Sequence, residues 1–245
     1  MDLAASHGNT AVMWSQDFEG PAGAAPDPRV WGHELGGGGW GDAQWQVYTD
    51  DPGNAALDGV GHLAITARRE PDGTITSARL TTHRRFATTY GRVEARIKVP
   101  EGRGSWPAFW MLGEDLDDVG WPACGEIDVM EHVGAQPHLC HGTAHGPGYS
   151  GLAGGLGGAV DAGTDLSQDF HEYAVTWGEH GIVWSLDNHE YHRVTPADVP
   201  APWPFDHPFH LVLNLAIGGD WPGNETEDPT LPAVLLVDHV RVHPH

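Results

Sequence analysis

Apolar and polar residues alternate along most of this chain with a period of two, which is typical of β-strands that bury one face. Residues 62–68 place Leu63, Ile65 and Ala67 on one side, and residues 91–99 repeat the pattern with four apolar side chains. No segment keeps a helical period over twelve residues. The pattern therefore predicts an all-β protein.

Further strands follow the same pattern towards the end of the chain. Strands are predicted at 173–177, 182–186, 211–217 and 234–242. A tight turn is predicted at 187–188, followed by a short strand through Tyr191. The 34 Gly and 19 Pro punctuate the chain with turns. No internal repeat or linker divides it, so we expect one domain, residues 1–245, built as an antiparallel β-sandwich or barrel.

Charge and hydropathy exclude several classes of partner. The chain carries 34 Asp and Glu against 12 Lys and Arg, a formal net charge of −22. Nucleic acids and anionic membrane surfaces need clustered positive charge, so we expect neither as a partner. The longest apolar runs fall short of the roughly 18–20 residues of a membrane-spanning helix. Residues 1–10 lack the basic and then apolar pattern of a signal peptide.

The segment 125–132, GEIDVMEH, carries the most informative chemistry. In a strand, Glu126 and Asp128 point to one face while Ile127 points to the other. Strand parity would send Glu131 into the core, where an unpaired carboxylate is costly. A β-bulge at Val129–Met130 absorbs one residue and returns Glu131 to the acidic face. The sequence therefore predicts a bulged strand with three carboxylates on one face.

The spacing of the two outer carboxylates bears on their chemistry. With one residue absorbed, Glu126 and Glu131 lie about four strand steps apart, roughly 13 Å between Cα atoms. Inward-leaning side chains would then leave about 5–6 Å between the carboxyl groups, close to the roughly 5–5.5 Å of retaining glycosidases. From the residues alone, a solvated acidic strand face and a cation site stay open as alternatives.

Two runs rich in glycine, 36–39 and 151–158, could suggest phosphate-binding loops. Neither run lies between a strand and a helix in a G-x-G-x-x-G frame. We therefore predict that both are flexible loops at the rim of the domain.

Beyond these patterns, the sequence resembles glycoside hydrolase family 16, and within it the bacterial laminarinases, which are endo-β-1,3-glucanases. The extra residue between Asp128 and Glu131 is similar to the laminarinase branch, whereas the lichenase branch spaces its acids E-x-D-x-E. The resemblance covers nearly the whole chain and is carried by the motifs TSARLTT (76–82), TYGRVEARIKVPEGRGSWPAFWMLG (89–113), GEIDVMEHVG (125–134), HGTAHGPGYSG (141–151) and LNLAIGGDWPG (213–223).

The resemblance implies a fold and a mechanism. The fold would be a jelly-roll β-sandwich of two curved antiparallel sheets with a sugar cleft on the concave face. Glu126 would be the nucleophile that forms a glycosyl intermediate, and Glu131 the general acid and base. Asp128 would hydrogen-bond the nucleophile and tune the charges of both glutamates. No catalytic cofactor is expected, and the substrate would be a β-1,3-glucan.

The resemblance also implies residues that contact the sugar. Trp106 and Trp110 are four residues apart, so a strand places both on one face, with Phe109 and Met111 on the other. Indole faces stack on the apolar faces of glucose. The positions similar to cleft positions of the family are Trp106, Trp110, Trp121, Asn54, Arg79, Arg85 and Asn214, with Arg79 preferred over Arg85, and with Trp203 and Trp221 as weaker candidates.

His145 has an argument from strand pairing. If residues 134–137 turn the chain, paired positions place His145 opposite Glu126, where its imidazole could hydrogen-bond the acids or the sugar. The same pairing places Cys140 opposite Glu131 and far from Cys124. We therefore expect both cysteines to be reduced, buried side chains.

A calcium ion and an extracellular location are implied by the resemblance alone. The calcium positions would be Glu19, the carbonyl of Gly61 and Asp238, on the convex side of the fold, where the ion would stabilise the chain ends. Secretion is expected because such polysaccharides lie outside the cell. The protein would act as a monomer.

Three alternatives are weighed against this interpretation. Zinc could be bound by His138, Cys140, His141 and His145 with Cys124 and Glu131, but no C-x₂-C pair or H-E-x-x-H helix is present. A non-catalytic β-glucan-binding module would have no need of both glutamates. A mixed-linkage β-1,3-1,4-glucanase stays open, because loops outside these motifs shape the subsites.

Overall fold

The computed structural model describes residues 11–152, 154–200, 202–222 and 229–245. Residues 1–10, examined above for a signal peptide, lie outside this described part. Within it, none of the helices has the length and apolar character needed to cross a membrane.

Strands form almost all of the regular structure, as the alternating pattern predicts. In chain order, the elements are β1 (Trp14–Gln16), β2 (Gly32–His33), β3 (Val47–Tyr48), β4 (Ala55–Leu57), β5 (Leu63–Arg69), β6 (Ile75–Ser77), β7 (Arg79–Thr81), β8 (Ala87–Thr88), β9 (Gly91–Lys98), β10 (Ser105–Gly113), α1 (Leu116–Val119), β11 (Glu126–Glu131), β12 (Leu139–His145), β13 (Leu156–Asp161), β14 (His171–Gly178), β15 (Gly181–Leu186), β16 (His189–Val194), β17 (Phe209–Ile217) and β18 (Ala233–His243).

These strands form two large, mostly antiparallel sheets, the jelly-roll sandwich expected above. The ten-stranded sheet has the order β16-β15-β14-β9-β18-β5-β6-β3, with β1 beside β18 and β4 beside β5. The eight-stranded sheet has the order β13-β12-β11-β10-β17-β7-β2, with β8 beside β17. The pair β3 and β6 is parallel, whereas the other strand pairs are antiparallel.

The predicted hairpin between residues 173 and 186 is present. Tyr173 pairs with Leu186, and Trp177 pairs with Ile182. The predicted turn follows at Asp187 and Asn188, whose φ angles are 47° and 63°. Asp and Asn tolerate this left-handed conformation better than most residues, which suits the two-residue turn into β16.

The core fills the space between the two sheets, and β10 and β17 lie in the middle of the eight-stranded sheet. All nine residues of each of these two strands are buried. Phe109 and Met111 contribute to the main core, while Trp110 packs in a second cluster on the opposite face. The predicted division of β10 into two faces is therefore confirmed, and the face opposite the core, called the cleft face below, is available for a site.

The prediction for the second glycine run is wrong in its C-terminal half. Residues 156–158 belong to β13 and pair with β12, instead of forming a rim loop. A Cβ atom on Gly158 would collide with the ring of His192. Glycine therefore serves close packing of β13 against β16 here, a reason that composition alone does not reveal.

Candidate active site

The three acids of β11 lie together, and the predicted bulge brings them there. Pairing of β11 with β12 shifts between Asp128 and Glu131. The two residues in between, Val129 and Met130, both belong to the main core. Glu131 consequently returns to the face of Glu126, and both glutamates line the same two cavities.

The bulge also decides which pairing predictions succeed. His145 pairs with Glu126 as predicted, because this pair lies before the bulge. Glu131 pairs with His141, so the predicted pairing with Cys140 is wrong. The extra residue in β11 moves every later partner by one position. The cysteine prediction itself is confirmed, since Cys124 and Cys140 are both free and buried.

Two indole N–H groups hold the outer acids. Trp121 Nε1 donates a hydrogen bond to Glu126 Oε2 at 2.8 Å, and Trp106 Nε1 donates to Glu131 Oε1 at 3.0 Å. Each bond uses one carboxylate oxygen and leaves the other available. Trp106 is buried, whereas Trp121 is 47% exposed and covers the cleft from a loop. Trp106 and Trp121, which were both predicted to contact the sugar, therefore orient the two acids.

The imidazole of His145 lies next to Asp128, the acid between the two glutamates. Its Nε2 atom lies 3.1 Å from Asp128 Oδ2 and 3.9 Å from Glu126 Oε1. Asp128 is almost completely buried beside Glu126. An imidazole between two carboxylates partly balances their charge when it is protonated. The pairing argument for His145 thus placed this side chain in the site.

The backbone of the bulge is held from across the core. Trp184 of β15 donates its Nε1 hydrogen to the carbonyl of Asp128 at 2.7 Å. Gly142, on the neighbouring strand, leaves room for this indole, because a Cβ atom there would collide with Trp184. The ten-stranded sheet therefore fixes the backbone that carries the acids.

Burial raises the pKa values of all three acids. Burial first, and then the charge of Asp128, raise the pKa of Glu126 to about 8. Burial raises the pKa of Asp128 to about 7. Burial and the charge of Asp128 raise the pKa of Glu131 well above its ordinary value. Burial thus favours the protonated form of all three acids, which is the state a general acid needs, whereas the nucleophile has to lose its proton before it attacks.

Two cavities meet at the acids. One has a volume of about 510 Å³ and extends along β10 and β17 past Trp110 and Asn214. The other has a volume of about 420 Å³ and extends along β12 and β13 past His141. Both are lined by Asp42, Trp106, Trp121, Glu126, Glu131 and Gly151. Together they form a trough that continues on both sides of the glutamates, called the cleft below.

One side of the cleft is built on an aromatic and amide network. Trp110 Nε1 donates to Asn214 Oδ1 at 2.7 Å, and Asn214 Nδ2 donates to the hydroxyl of Tyr48 at 3.0 Å. The guanidinium of Arg79 lies between two indoles, 4.6 Å from the ring of Trp110 and 4.7 Å from that of Trp40. Cation–π contacts keep these rings in place.

Several residues that line or support the cleft were not predicted from the sequence. Glu34 lines neither cavity but forms an ion pair with Arg79, which does. Trp40 follows directly on the first glycine run, which is the one signal that could have drawn attention to it. Trp221, considered a weak candidate, packs edge-on against Trp106 with ring centroids 5.4 Å apart. Other lining residues that were not predicted include Asp42, Gln44, His141 and Thr143.

Three candidates for sugar contacts lie elsewhere. The Asn54 amide is buried and donates to the Thr66 carbonyl at 2.8 Å, a structural use outside both cavities. Arg85 packs beside Gly32, also away from the acids, so that of the two arginines Arg79 is the one that lines the cleft. Trp203 packs against the main core.

The rejected zinc set does not converge on one point. Cys140 belongs to the main core, with Sγ 3.9 Å from the hydroxyl of Tyr191. Burial raises the pKa of its thiol to about 12, which disfavours a thiolate ligand. His141 and His145, by contrast, line the cleft.

Comparisons with known proteins agree with this geometry. The sequence profile described as Glycosyl hydrolases family 16 matches residues 42–230. A β-glucanase of Rhodothermus marinus is 44% identical over 245 residues, covering 95% of this chain and 84% of the relative. A glucan endo-1,3-β-glucosidase of Cryptopygus antarcticus is 37% identical, covering 93% and 87%. The laminarinase catalytic domain of Thermotoga maritima superposes with a TM-score of 0.89 at 41% identity, covering 96% of this chain and 98% of that structure.

Proposed function

Because the chain belongs to glycosyl hydrolase family 16, we propose that it hydrolyses internal β-1,3-glucosidic bonds of β-glucans such as laminarin and retains the anomeric configuration. One observation carries the proposal. The bulge places Glu126 and Glu131 on the same face of β11, on either side of Asp128, inside a cleft lined by tryptophans.

In the first step, Glu126 attacks the anomeric carbon while Glu131 gives its proton to the departing oxygen. The bond from Glu126 to carbon forms as the glycosidic bond breaks, so the electron pair leaves with the oxygen that Glu131 protonates. The indole of Trp121 aims one oxygen of Glu126, and the indole of Trp106 aims one oxygen of Glu131. In the second step, Glu131 accepts a proton from water, which attacks the same carbon and releases Glu126.

Asp128 and His145 balance charge during these steps. As Glu126 gives up its negative charge to the sugar, repulsion from Asp128 falls. Deprotonation of Glu131 in the same step brings a new negative charge near Asp128, which His145 offsets when it carries a proton. Asp128 and His145 therefore help the negative charge to move from Glu126 to Glu131 as the reaction proceeds.

The shape of the cleft supports attack within a chain instead of at its end. The two cavities continue in opposite directions along the cleft face from the shared glutamates. A polymer can therefore occupy positions on both sides of the bond that is cut. The indole of Trp121, which is 47% exposed and lines both cavities, suits the apolar face of a glucose unit.

A binding module without activity is the rival from another class. Such a module has no use for buried acids with raised pKa values, because each costs free energy of folding. The site keeps both glutamates and an indole donor for each, which supports an enzyme.

The catalytic roles are tested by Glu126→Gln and Glu131→Gln. We expect each variant to fold and to lose roughly 10³-fold or more of its turnover on laminarin, measured as released reducing ends. Proton NMR of wild-type products should show the β-anomer first. Release of the α-anomer, or near wild-type turnover by either variant, would contradict the proposal.

Azide separates the two roles. With an aryl β-1,3-glucobioside, Glu126→Ala leaves space on the nucleophile's side, so azide should give the α-glycosyl azide. Glu131→Ala still forms the covalent intermediate, so azide should give the β-glycosyl azide. Reversed products would exchange the two assignments.

Linkage preference is tested with two polymers. We expect laminarin to be cut faster than barley β-glucan, and product chromatography should show a ladder of β-1,3-linked oligomers. Faster cleavage of the barley polymer, with β-1,4 bonds retained next to β-1,3 bonds in the products, would identify a mixed-linkage enzyme instead.

We also propose a structural calcium ion at Glu19, the Gly61 carbonyl and Asp238. Glu19 Oε1 lies 3.5 Å from the position a Cβ atom on Gly61 would occupy, which supports two of the three ligands. Asp238 Oδ2 already accepts from Arg96 at 2.9 Å, so this residue would have to coordinate through its other oxygen. EGTA should lower the melting temperature of the wild type and leave that of Asp238→Asn unchanged; an equal effect of EGTA on both proteins, or none on the wild type, would contradict the proposal.

The protein is further proposed to act as an extracellular monomer. The support is the polymeric substrate class, which reaches the enzyme outside the cell, and the acidic composition, which keeps molecules apart in solution. Light scattering coupled to size exclusion should give the mass of one chain, about 26 kDa. A dimer mass would overturn this part.

A further inference from the structure

A second group of metal-binding side chains lies outside the three acids. His83 is in the turn after β7, Glu114 directly follows β10, and His210 lies on β17. One donor atom from each residue lies within 4.8 Å of the other two. Three chain segments distant in sequence thus bring two imidazoles and one carboxylate together.

The distances within this group suit a small divalent cation. His210 Nδ1 is 3.0 Å from Glu114 Oε2, and His83 Nε2 is 3.9 Å from Glu114 Oε1. Around tetrahedral zinc, with bonds of about 2.0–2.2 Å, neighbouring ligand atoms lie about 3.3–3.5 Å apart. The observed separations, measured to the two different oxygens of Glu114, lie on either side of this range, so the side chains would rearrange locally to bring one oxygen and both imidazoles around an ion.

The three side chains are already held in place. His210 sits on a central strand with its side chain 2% exposed, and its ring stacks on that of His83 with centroids 4.6 Å apart. The backbone N–H of Arg84 donates to Glu114 Oε1 at 2.8 Å. Such outer hydrogen bonds orient metal ligands before the ion binds.

The charges around Glu114 leave a place for a cation. The guanidinium of Arg84 turns away to Asp117, at 2.6 Å. Among the described residues, the side chains in contact with the Glu114 carboxylate are the two histidines.

A further cluster of possible metal ligands, formed by Glu94, Glu172 and His239, differs from the His83 group in its surrounding charges. Arg92 binds both of its carboxylates, at 2.6 Å and 2.8 Å, so a guanidinium already occupies the cation position there.

Solvent and metal have a route to the group at His83. A cavity of about 580 Å³ is lined by His83 and Asp117 together with Arg84 and Arg85, and Asp117 Oδ2 lies 3.8 Å from His83 Nε2. Water from this cavity can supply the fourth ligand that tetrahedral zinc requires, whereas Asp117 Oδ2 is already bound by Arg84.

We propose that His83, Glu114 and His210 form a zinc site at the end of the cleft face. The site joins the turn after β7 to the ends of β10 and β17. Leu112, which pairs with His210, lines the cleft, so bound zinc would stabilise that end of the cleft. The proposal concerns metal binding and stands independently of the glycosidase activity.

Isothermal titration of chelator-treated protein with zinc chloride tests the site. We expect saturable binding of one equivalent, weakened at least tenfold in His83→Gln and in Glu114→Gln. His207→Gln is the matched control, because His207 contacts Asp115, which is next to Glu114 in the chain, but is not a member of the proposed ligand group. It should bind like the wild type. Cobalt(II) in place of zinc should show the visible absorption of a tetrahedral site in the wild type and lose it in His83→Gln.

Two further measurements make the result decisive. Glu126→Gln should keep the affinity, because its cluster with Asp128 and His145 is a separate group of ligands. Melting temperatures without metal must match the wild type in at least one of the two ligand variants, both of which alter partly exposed side chains. Absence of saturable binding at micromolar zinc, equal binding by both ligand variants and wild type, or loss in Glu126→Gln alone would overturn the proposal.

Discussion

The environment of Glu131 suits a catalytic acid but lowers the folding stability of the protein when the carboxylate is ionised. In the unfolded chain its carboxylate is hydrated, whereas in the fold it has one indole donor and lies near the charge of Asp128. The folded state therefore binds a proton on Glu131 more tightly than the unfolded state does. Stability from this group is fully present below the unfolded pKa and is lost as pH rises through the raised folded pKa.

Glu131→Gln should consequently stabilise the protein at alkaline pH. The carboxamide keeps the shape and still accepts from Trp106, but it carries no charge to bury. Each unit by which the pKa is raised is worth about 1.4 kcal/mol, or roughly 2–4 °C in melting temperature for a chain of this size. Calorimetry should show a higher melting temperature than wild type at pH 8 and a much smaller difference at pH 4.

Glu101→Gln is the control for this comparison. Glu101 is exposed, so its substitution should leave the dependence of the melting temperature on pH unchanged. If Glu131→Gln gave the same shift at pH 4 as at pH 8, titration of Glu131 would not be the cause.

Trp121 offers a second test at the level of one atom. Trp121→Phe keeps an aromatic ring over the cleft and removes the N–H that bonds Glu126. Because this bond favours the carboxylate, its loss should raise the pKa of Glu126, and the acid limb of kcat/KM against pH should move up by about one unit or less. Trp203→Phe, outside the cleft, should leave the profile unchanged. An unmoved acid limb in Trp121→Phe would mean that the indole contributes stacking only.

At the scale of the element, the bulge sets the direction of the third acid. Deleting Met130 removes the extra residue and keeps Glu131 on the cleft face, whereas inserting Ala after Met130 sends it towards the core.

The two length variants should therefore differ. We expect the deletion to keep detectable hydrolysis, reduced by roughly 10²-fold, and to lose about 2–4 kcal/mol of stability from the missing core side chain. The insertion should fall to the activity of Glu131→Gln. Equal activity of the two variants, measured on laminarin with folding checked by circular dichroism, would contradict the parity argument.

At the scale of the whole molecule, the net charge of −22 opposes compaction. Monovalent salt screens this repulsion, so raising sodium chloride from 10 mM to 0.5 M should increase the urea midpoint by roughly 0.5 M, equivalent to about 1 kcal/mol. The measurement is made with EGTA present so that divalent ions play no part. A lower midpoint at high salt would show that attractive ion pairs outweigh the overall repulsion.

Much of the fold was predictable because its strands are amphipathic. The predicted strand 62–68 corresponds to β5 shifted by one residue at both ends, and 91–99 corresponds to β9 with one residue too many at its C-terminal end. The glycines of β13 were misread because their role depends on a histidine from β16, distant in the sequence. Period-two alternation is a local signal, whereas close packing of glycine depends on neighbours that the local pattern does not contain.

In the candidate site, too, some features follow from local sequence patterns and others exist only in the packed fold. Strand parity and the cost of a buried carboxylate were enough to predict the bulge and the common face of the three acids, and the pairing of neighbouring strands across a short turn predicted the place of His145. Parity is a property of one strand, so the sequence determined it. Only the tertiary structure decided that Trp184 holds the bulge from the opposite sheet, that Trp40 joins Arg79 and Trp110, and that Asn54 is used in packing. These contacts join segments far apart in the chain, and their geometry exists only once the two sheets have packed together.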